Sequence, residues 1–197
     1  MAPNTRRGKG VTTKEKIVLG VTGMPGAGKA TVKEMVQKMS YSLVVMGDEI
    51  REETKRRKLK PTPENIGTVM LKLREEEGPY VVAKRCIPKI RKAKGRVVIV
   101  DGIRSPYEIE EFKKHFPNFI LLAIYASPET RFKRLSKRKR SDDPKGWETF
   151  MERDLRELNV GLGNVIATAD YMIVNEGMKA QLKRKVCEVF ESVIRGE

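Results

Sequence analysis

The chain has 197 residues, with 41 lysines and arginines against 26 aspartates and glutamates and a formal net charge of +15. That length suits one domain able to bury its own core, and the two cysteines, Cys86 and Cys187, stand far apart with no Cys/His cluster, which excludes a disulfide scaffold and a zinc site. The charge asks for a polyanionic partner, and nucleic acid, an anionic membrane surface or a phosphate-rich small substrate would each satisfy it.

Residues 1–15 carry Arg6, Arg7, Lys9 and Lys14 among Gly, Thr, Asn and Pro. They read as a flexible basic arm without the apolar stretch of a secretory signal. Ile17 to Thr22 reads as a buried strand running into a glycine-rich turn. From Lys29 to Met39, the positions Val32, Met35, Val36 and Met39 recur at helical spacing. Leu43 to Met46 is a second short strand, and Asp48 opens another helix. Residues 54–62 form a polar, basic connector. A helix over 63–76 follows, with Ile66, Val69, Met70 and Leu73 on one face, until Gly78 and Pro79 break it. The next helix runs through Ala83, Ile87 and Ile90 and contains Pro88, a candidate kink.

Val97 to Val100 is a third strand, ending at Asp101-Gly102, and a helix over about 106–115 closes at His115. With a single histidine at the end of a surface helix, an imidazole-based triad has little to build on. Phe119 to Tyr125 is the fourth strand. A helix starting at Ser127-Pro128-Glu129 runs into RFKRLSKRKR, residues 141–146 interrupt it, and a further helix spans Trp147 to Leu158. Tyr171 to Val174 is the last strand, and a final helix has Leu182, Val186, Val189, Phe190 and Val193 on one side. Short continuous apolar strands alternating with helices predict an α/β fold, three layers α/β/α with a five-stranded, mostly parallel sheet. No apolar run approaches the ~20 residues of a membrane span, so a cytoplasmic protein is expected.

The chemistry starts at Gly23-Met24-Pro25-Gly26-Ala27-Gly28-Lys29, which satisfies G-x-x-x-x-G-K between a strand and a helix. Glycines let successive backbone N–H groups turn inward around a phosphate, and the helix N-terminus adds a positive dipole end. Lys29 supplies the point charge for the terminal phosphates. The strict motif places Ser or Thr directly after the lysine to hold Mg²⁺, whereas here Ala30 stands there and Thr31 comes next. Either Thr31 helps to hold the ion or water does, as Mg²⁺ tolerates.

This loop resembles that of adenylate kinases and related nucleoside monophosphate kinases, and the similarity continues along nearly the whole chain. Gly47-Asp48-Glu49-Ile50-Arg51 resembles the family's Gly-Asp-x-x-Arg segment, which implies that Arg51 lies near the acceptor phosphate. The strand ending in Asp101-Gly102 resembles the one that precedes the family's arginine; Arg104 comes one residue earlier here and lacks the preceding proline. RLSKRKRSDDPKGWETFMERDLREL is similar to the family's lid, with Arg134, Arg138, Arg140 and Arg153 in matching order. Ala169 to Gly177 instead looks more like the corresponding stretch of dephospho-coenzyme A kinases. The chain as a whole resembles an archaeal family of uncharacterised, adenylate-kinase-related proteins.

The resemblance implies a P-loop NTPase fold over 16–197, with acceptor-binding helices over 47–90 and a lid over 134–153. It implies ATP with Mg²⁺ as phosphoryl donor and a nucleoside monophosphate or similar small phosphorylated acceptor. Lys29, Arg138, Arg140 and Arg153 would be catalytic, and Gly23 to Thr31 with Arg134 would hold the nucleotide. Asp48, Arg51, Arg74, Arg85 and Arg104 would face the acceptor, and Thr31 and Asp101 the metal, directly or through water. Phosphoryl transfer suits a chain without catalytic His or Cys, because it needs positioned positive charge more than a nucleophilic side chain. Dephospho-coenzyme A is the rival acceptor.

A second reading starts from charge alone. The N-terminal arm and the segments 51–60, 89–96 and 131–140 are strongly basic, so an NTP-binding protein acting on RNA or the ribosome remains open. Few aromatics interleave with these runs, so contact would be to phosphates. A regulatory GTPase is disfavoured, since no Asn-Lys-x-Asp guanine motif is present. The oligomeric state is not legible.

Overall fold

The computed structural model describes residues 16–138 and 143–195. The basic arm over 1–15, Arg140 and the lid-tip residues Ser141 and Asp142 lie outside them. In chain order the elements are β1 (Ile17–Thr22), α1 (Lys29–Lys38), β2 (Ser42–Val45), α2 (Met46–Arg56), α3 (Pro63–Glu77), α4 (Val81–Lys92) and β3 (Val97–Asp101). There follow α5 (Pro106–His115), β4 (Phe119–Tyr125), α6 (Pro128–Arg138), α7 (Trp147–Asn159), α8 (Leu162–Ala167), β5 (Tyr171–Val174) and α9 (Lys179–Arg195).

The strands form one sheet in the order β2-β3-β1-β4-β5, and every neighbouring pair is parallel. β1 lies at the centre, which is why all six of its residues are buried. Alternate side chains face opposite layers. Ile17, Leu19 and Val21 join Val32 and Val36 of α1 and Val186 and Phe190 of α9 on one face. Val18 joins Ile90 of α4, Phe112 of α5 and Val165 of α8 on the other. Gly20 is required in between, since a Cβ there would come within 2.4 Å of Ile103 Cδ1. α2, α3 and α4 pack on one another beside the β2 edge, with Met46, Ile50, Leu73 and Ala83 in their shared interior.

Two details depart from the sequence reading, and a third sharpens it. α2 begins at Met46 and runs to Arg56, absorbing the start of the expected connector. Asp48 and Glu49 in its first turn and Lys55 and Arg56 in its last complement the helix dipole at both ends. α8, six residues opened by Gly161 at φ 108°, has no counterpart in the predicted elements. The sheet is wholly rather than mostly parallel. Because it is parallel, the C-terminal ends of all strands lie along one edge, and the turn after β1 stands beside the end of β3, with Val21 paired to Asp101. Ligands of open α/β sheets bind at that kind of edge.

Candidate functional site

The phosphate loop turns between β1 and α1 through Gly23, Gly26 and Gly28, all at positive φ. All three lack room for a side chain, Gly26 because a Cβ there would fall 2.9 Å from Arg131 O. A Cβ at Gly23 would fall 2.2 Å from Ile124 O, and one at Gly28 would fall 2.4 Å from Asn175 Nδ2. Asn175 is buried and donates from Nδ2 to Ala27 O at 2.7 Å. On the other flank, the buried Arg131 donates from Nη1 to Pro25 O at 3.3 Å and from Nε to Ala126 O at 3.1 Å. Asp154 holds that guanidinium by a two-pronged pair at 2.8 and 2.5 Å. The loop is thus fixed from behind by residues of α6, α7 and the segment after β5.

Lys29 is the first residue of α1 and curls back over the loop, donating from Nζ to Gly23 O and to Met24 O. Burial pushes its ammonium down to about 8. Asp101 works against that fall, and so does Glu157, while Arg104 and Arg153 add to it, so these four charges all act on Lys29. Asp101 ends β3 with its Oδ1 buried and accepting no hydrogen bond among the described residues. Burial pushes its carboxyl up, opposed by Lys29, Arg104 and Lys33. Arg104 donates from Nε to Glu157 Oε2 at 2.8 Å, and that carboxylate holds the guanidinium firmly charged. Its backbone amide donates at 2.8 Å to the buried Glu108 Oε2, which also accepts from Ser105 N in the capping box that starts α5.

The orphaned Asp101 oxygen beside a lysine-bearing phosphate loop is what a hard divalent cation requires. Thr31 adds a hydroxyl-bearing residue in the first turn of α1, itself buried. No cluster of three or more His, Cys, Asp or Glu suited to a metal occurs among the described residues. The donors therefore fit Mg²⁺ held by one carboxylate, nucleotide phosphates and water, and do not form an all-protein cage.

Of the residues singled out from sequence, Lys29, Asp101, Arg104 and Arg153 come together in space. Asp48 also bears electrostatically on Asp101, and it pairs with Arg51 at 2.6 Å at the exposed start of α2. Arg134 has a buried Nη1 without a hydrogen bond among the described residues. Arg138 donates from Nε to Asp143 Oδ2 at 3.0 Å, across the interruption between α6 and α7.

Arg74 and Arg85 depart from the expectation of open acceptor ligands. Arg74 pairs with Glu108 at 2.7 Å, and Arg85 pairs with Glu53 at 2.7 Å and Glu77 at 2.6 Å. Both guanidiniums bind helices to one another, Arg74 joining α3 to α5 and Arg85 joining α4 to α2 and α3. Sequence reasoning passed over Arg131, Asp154 and Glu157, and it had Asn175 only as part of a strand-following stretch. No local spacing signals any of them, since their partners lie far away in the chain.

The family described as an AAA domain matches residues 22–151. The UPF0200 protein of Pyrococcus furiosus is 50% identical over 185 residues, covering 92% of this chain and 100% of that protein. That of Methanothermobacter thermautotrophicus is 46% identical over 187 residues, covering 91% and 96%. Among solved structures, a shikimate kinase from Bacteroides thetaiotaomicron superposes with a TM-score of 0.60 at 19% identity, covering 89% of this chain and 97% of that one. The shikimate kinase of Acinetobacter baumannii in complex with shikimate gives 0.57 at 17% identity, with 90% and 94% covered. At those identities the likeness shows the fold, a P-loop kinase fold.

Proposed function

The chain belongs to the UPF0200 family, on a P-loop kinase fold, and from that premise we propose that it is an ATP-dependent phosphotransferase acting on a small phosphorylated acceptor. The observation that carries the reading is the set of charges around Lys29: Asp101 ending β3 and Arg104 just after it, with Arg153 and Glu157 from α7, gathered beside the braced loop. Such a set supplies what transfer of a γ-phosphoryl group needs, which is positive charge at fixed points around the moving group.

In this reading the loop amides from Gly23 to Thr31 and the Lys29 ammonium hold the β- and γ-phosphates, with Arg134 on the nucleotide. An acceptor oxygen attacks the γ-phosphorus while the bond to the β,γ-bridging oxygen breaks, leaving ADP. Arg104 and Arg153, with Arg138 and Arg140 of the lid over 134–153, neutralise the charge spread over the equatorial oxygens. Arginine suits this because its planar fork binds phosphate oxygens two at a time. The helices over 47–90 close on the acceptor, with Asp48 and Arg51 nearest. Asp101 and Thr31 would hold Mg²⁺, largely through water, and the bound ion would supply further neutralisation of the phosphates. The same arginines favour an acceptor that brings its own phosphate, a nucleoside monophosphate or dephospho-coenzyme A, and Ala30 in place of a serine after Lys29 favours the former. A cytoplasmic location goes with this reading, and no helix among the described residues is long and apolar enough to cross a membrane.

Purified protein with Mg-ATP is to be offered AMP, CMP, UMP, GMP, dephospho-coenzyme A and shikimate separately, with product formation scored against a Lys29→Ala control. The expected result is phosphorylation of one or a few monophosphates that the control does not perform. No product above the control with any acceptor overturns the reading.

A further inference from the structure

We propose that the end of the domain opposite the phosphate loop is a nucleic-acid-binding surface that grips the phosphodiester backbone. It rests on the parallel sheet and on where unpaired positive charge lies, and on no part of the kinase reading.

In a wholly parallel sheet, all strands start at one end and the phosphate loop sits at the other. The segments entering the strands therefore collect at the starting end. Lys92, Lys94 and Arg96 precede β3, Lys113, Lys114 and His115 precede β4, and Lys16 precedes β1. All of these except Lys16 are exposed. Lys16 donates from Nζ to Ala93 O at 2.7 Å and Gly95 O at 3.0 Å, tying the start of β1 to the turn that carries Lys94 and Arg96. Arg91 adds a further cation, donating from Nη2 to His115 Nδ1 at 3.1 Å and so joining the end of α4 to the end of α5. β3, β1 and β4 are consecutive strands, so the cations preceding them extend over about 10 Å at ~4.8 Å per strand spacing. That length spans several phosphates at ~3.4 Å of helix axis each.

Ion pairs hold arginines of the other basic runs, while Lys55, Lys58, Lys60, Lys133 and Lys137 in those runs make none among the described residues. What sets this end apart is the convergence of three strand-entering segments. Within 51–60, Arg51 pairs with Asp48, Arg56 with Glu53, and Arg57 with Glu53 and Glu76. Within 131–138, Arg131 is buried on Asp154 and Arg138 is held by Asp143. At the strand-starting end, Lys92, Lys94, Arg96 and Lys113 make no ion pair with any described residue, and the buried Glu111 is shared by Lys114 and His115. Helix dipoles explain lysines in a last turn, such as Lys92 and Lys113. They do not explain Lys94 and Arg96, which lie outside any helix.

The surface is built for phosphate rather than for bases or lipid. Phe116 and Phe119 beside these cations are buried and stack on no base, so contact is to the phosphates and little sequence preference follows. A membrane-seeking surface would mix cations with exposed apolar side chains. Here none of the large exposed apolar side chains among the described residues lies in the segments that precede β1, β3 and β4; they sit elsewhere, as Leu71 of α3, Trp147 and Leu155 of α7 and Met172 of β5 do.

The test is fluorescence anisotropy of a mixed-sequence 30-nucleotide RNA and of a DNA duplex, titrated with full-length protein over a series of KCl concentrations. Both should bind at low salt, with affinity falling as a power of salt concentration. The variant Lys94→Glu/Arg96→Glu/Lys113→Glu should lose at least about tenfold in affinity and lower the log–log salt slope by about 2 to 3, roughly one per contact removed. Lys29→Ala should bind nucleic acid as the wild type does, and the triple variant should keep its thermal shift with Mg-ATP. The neutral Lys94→Gln/Arg96→Gln protein should fall in between. No wild-type binding at low salt overturns the proposal, as does a triple variant that binds like the wild type. Binding to phosphatidylserine vesicles in place of nucleic acid overturns it in favour of a membrane surface. Failure of the acceptor panel would leave all of these outcomes unaffected.

Discussion

Asn175 and Ala27 are 148 residues apart in sequence, yet Asn175 Nδ2 donates to Ala27 O at 2.7 Å and clamps the phosphate loop from behind. The same amide stands where a Cβ on Gly28 would go. Removing it in Asn175→Ala leaves a buried carbonyl unsatisfied, which costs about 1–3 kcal/mol. Urea unfolding should show that loss, and calorimetric titration with Mg-ATP should show weaker binding. Gly28→Ala should be worse, since it meets the amide and also forces alanine to φ 119°. Combining the two should recover only the part of the loss that came from the clash.

The Arg131–Asp154 pair closes the opposite flank of the loop, with both side chains almost fully out of solvent. Asp154→Ala strands a buried guanidinium and should cost about 3–5 kcal/mol. An apolar replacement of both partners, Arg131→Met/Asp154→Leu, removes the stranded charge and should regain most of the stability. It does not regain the hydrogen bond to Pro25 O. The double variant should therefore unfold near the wild-type midpoint while binding Mg-ATP more weakly. Equal recovery of stability and binding would show that the pair serves packing alone.

Asp101→Asn tests the carboxylate at the end of β3. Its folded value lies above the ordinary one because burial disfavours the charge. In acid both forms are neutral, and the native and variant proteins should be equally stable. As pH rises through the ordinary aspartate value, the unfolded chain ionises while the fold resists. Native stability falls over that window and then levels, whereas the variant's does not. Melting curves from acid to neutral pH should show that divergence. Addition of Mg²⁺ to the ATP-bound variant should then fail to raise its melting temperature as it does the native protein's.

What sequence showed and what it hid divide along one physical line. The strands, the glycine spacing of the loop, Lys29 and Asp101 are local signals: a continuous apolar run, a turn that needs positive φ, a charge at a strand end. The groups that hold them in place are not local. Arg131 finds Asp154 across 23 residues and Arg104 finds Glu157 across 53, because helices bring them together, and no periodicity marks either. The same effect made Arg74 and Arg85 resemble acceptor ligands, since the carboxylate of Arg74 lies 34 residues away and those of Arg85 lie 32 and 8 away on other helices. α8 escaped because six residues are too few to establish a helical period.

Lys29 is where stability and ligand binding oppose each other most directly. Its ammonium is pushed from 10.5 down to about 8 by burial, so the folded protein holds that proton less tightly than the unfolded chain does. Below about pH 8 both states carry the charge and the fold bears the full penalty. Between about 8 and 10.5 the native lysine is neutral while the unfolded one is charged, so stability rises with pH across that window. The full difference corresponds to up to about 3 kcal/mol, less what partial solvent contact returns. Lys29→Met removes the charge and keeps much of the aliphatic bulk. At pH 7 it should be more stable than the native protein by a margin that shrinks toward pH 10.5, read from urea midpoints across the range. The same variant should show no thermal shift with Mg-ATP at any pH, because the charge that costs stability in the free protein is the one the terminal phosphates require. A native protein whose stability is flat from pH 7 to 10.5 would show that Lys29 carries no such penalty, and a variant that still binds Mg-ATP would show that it does not hold the phosphate.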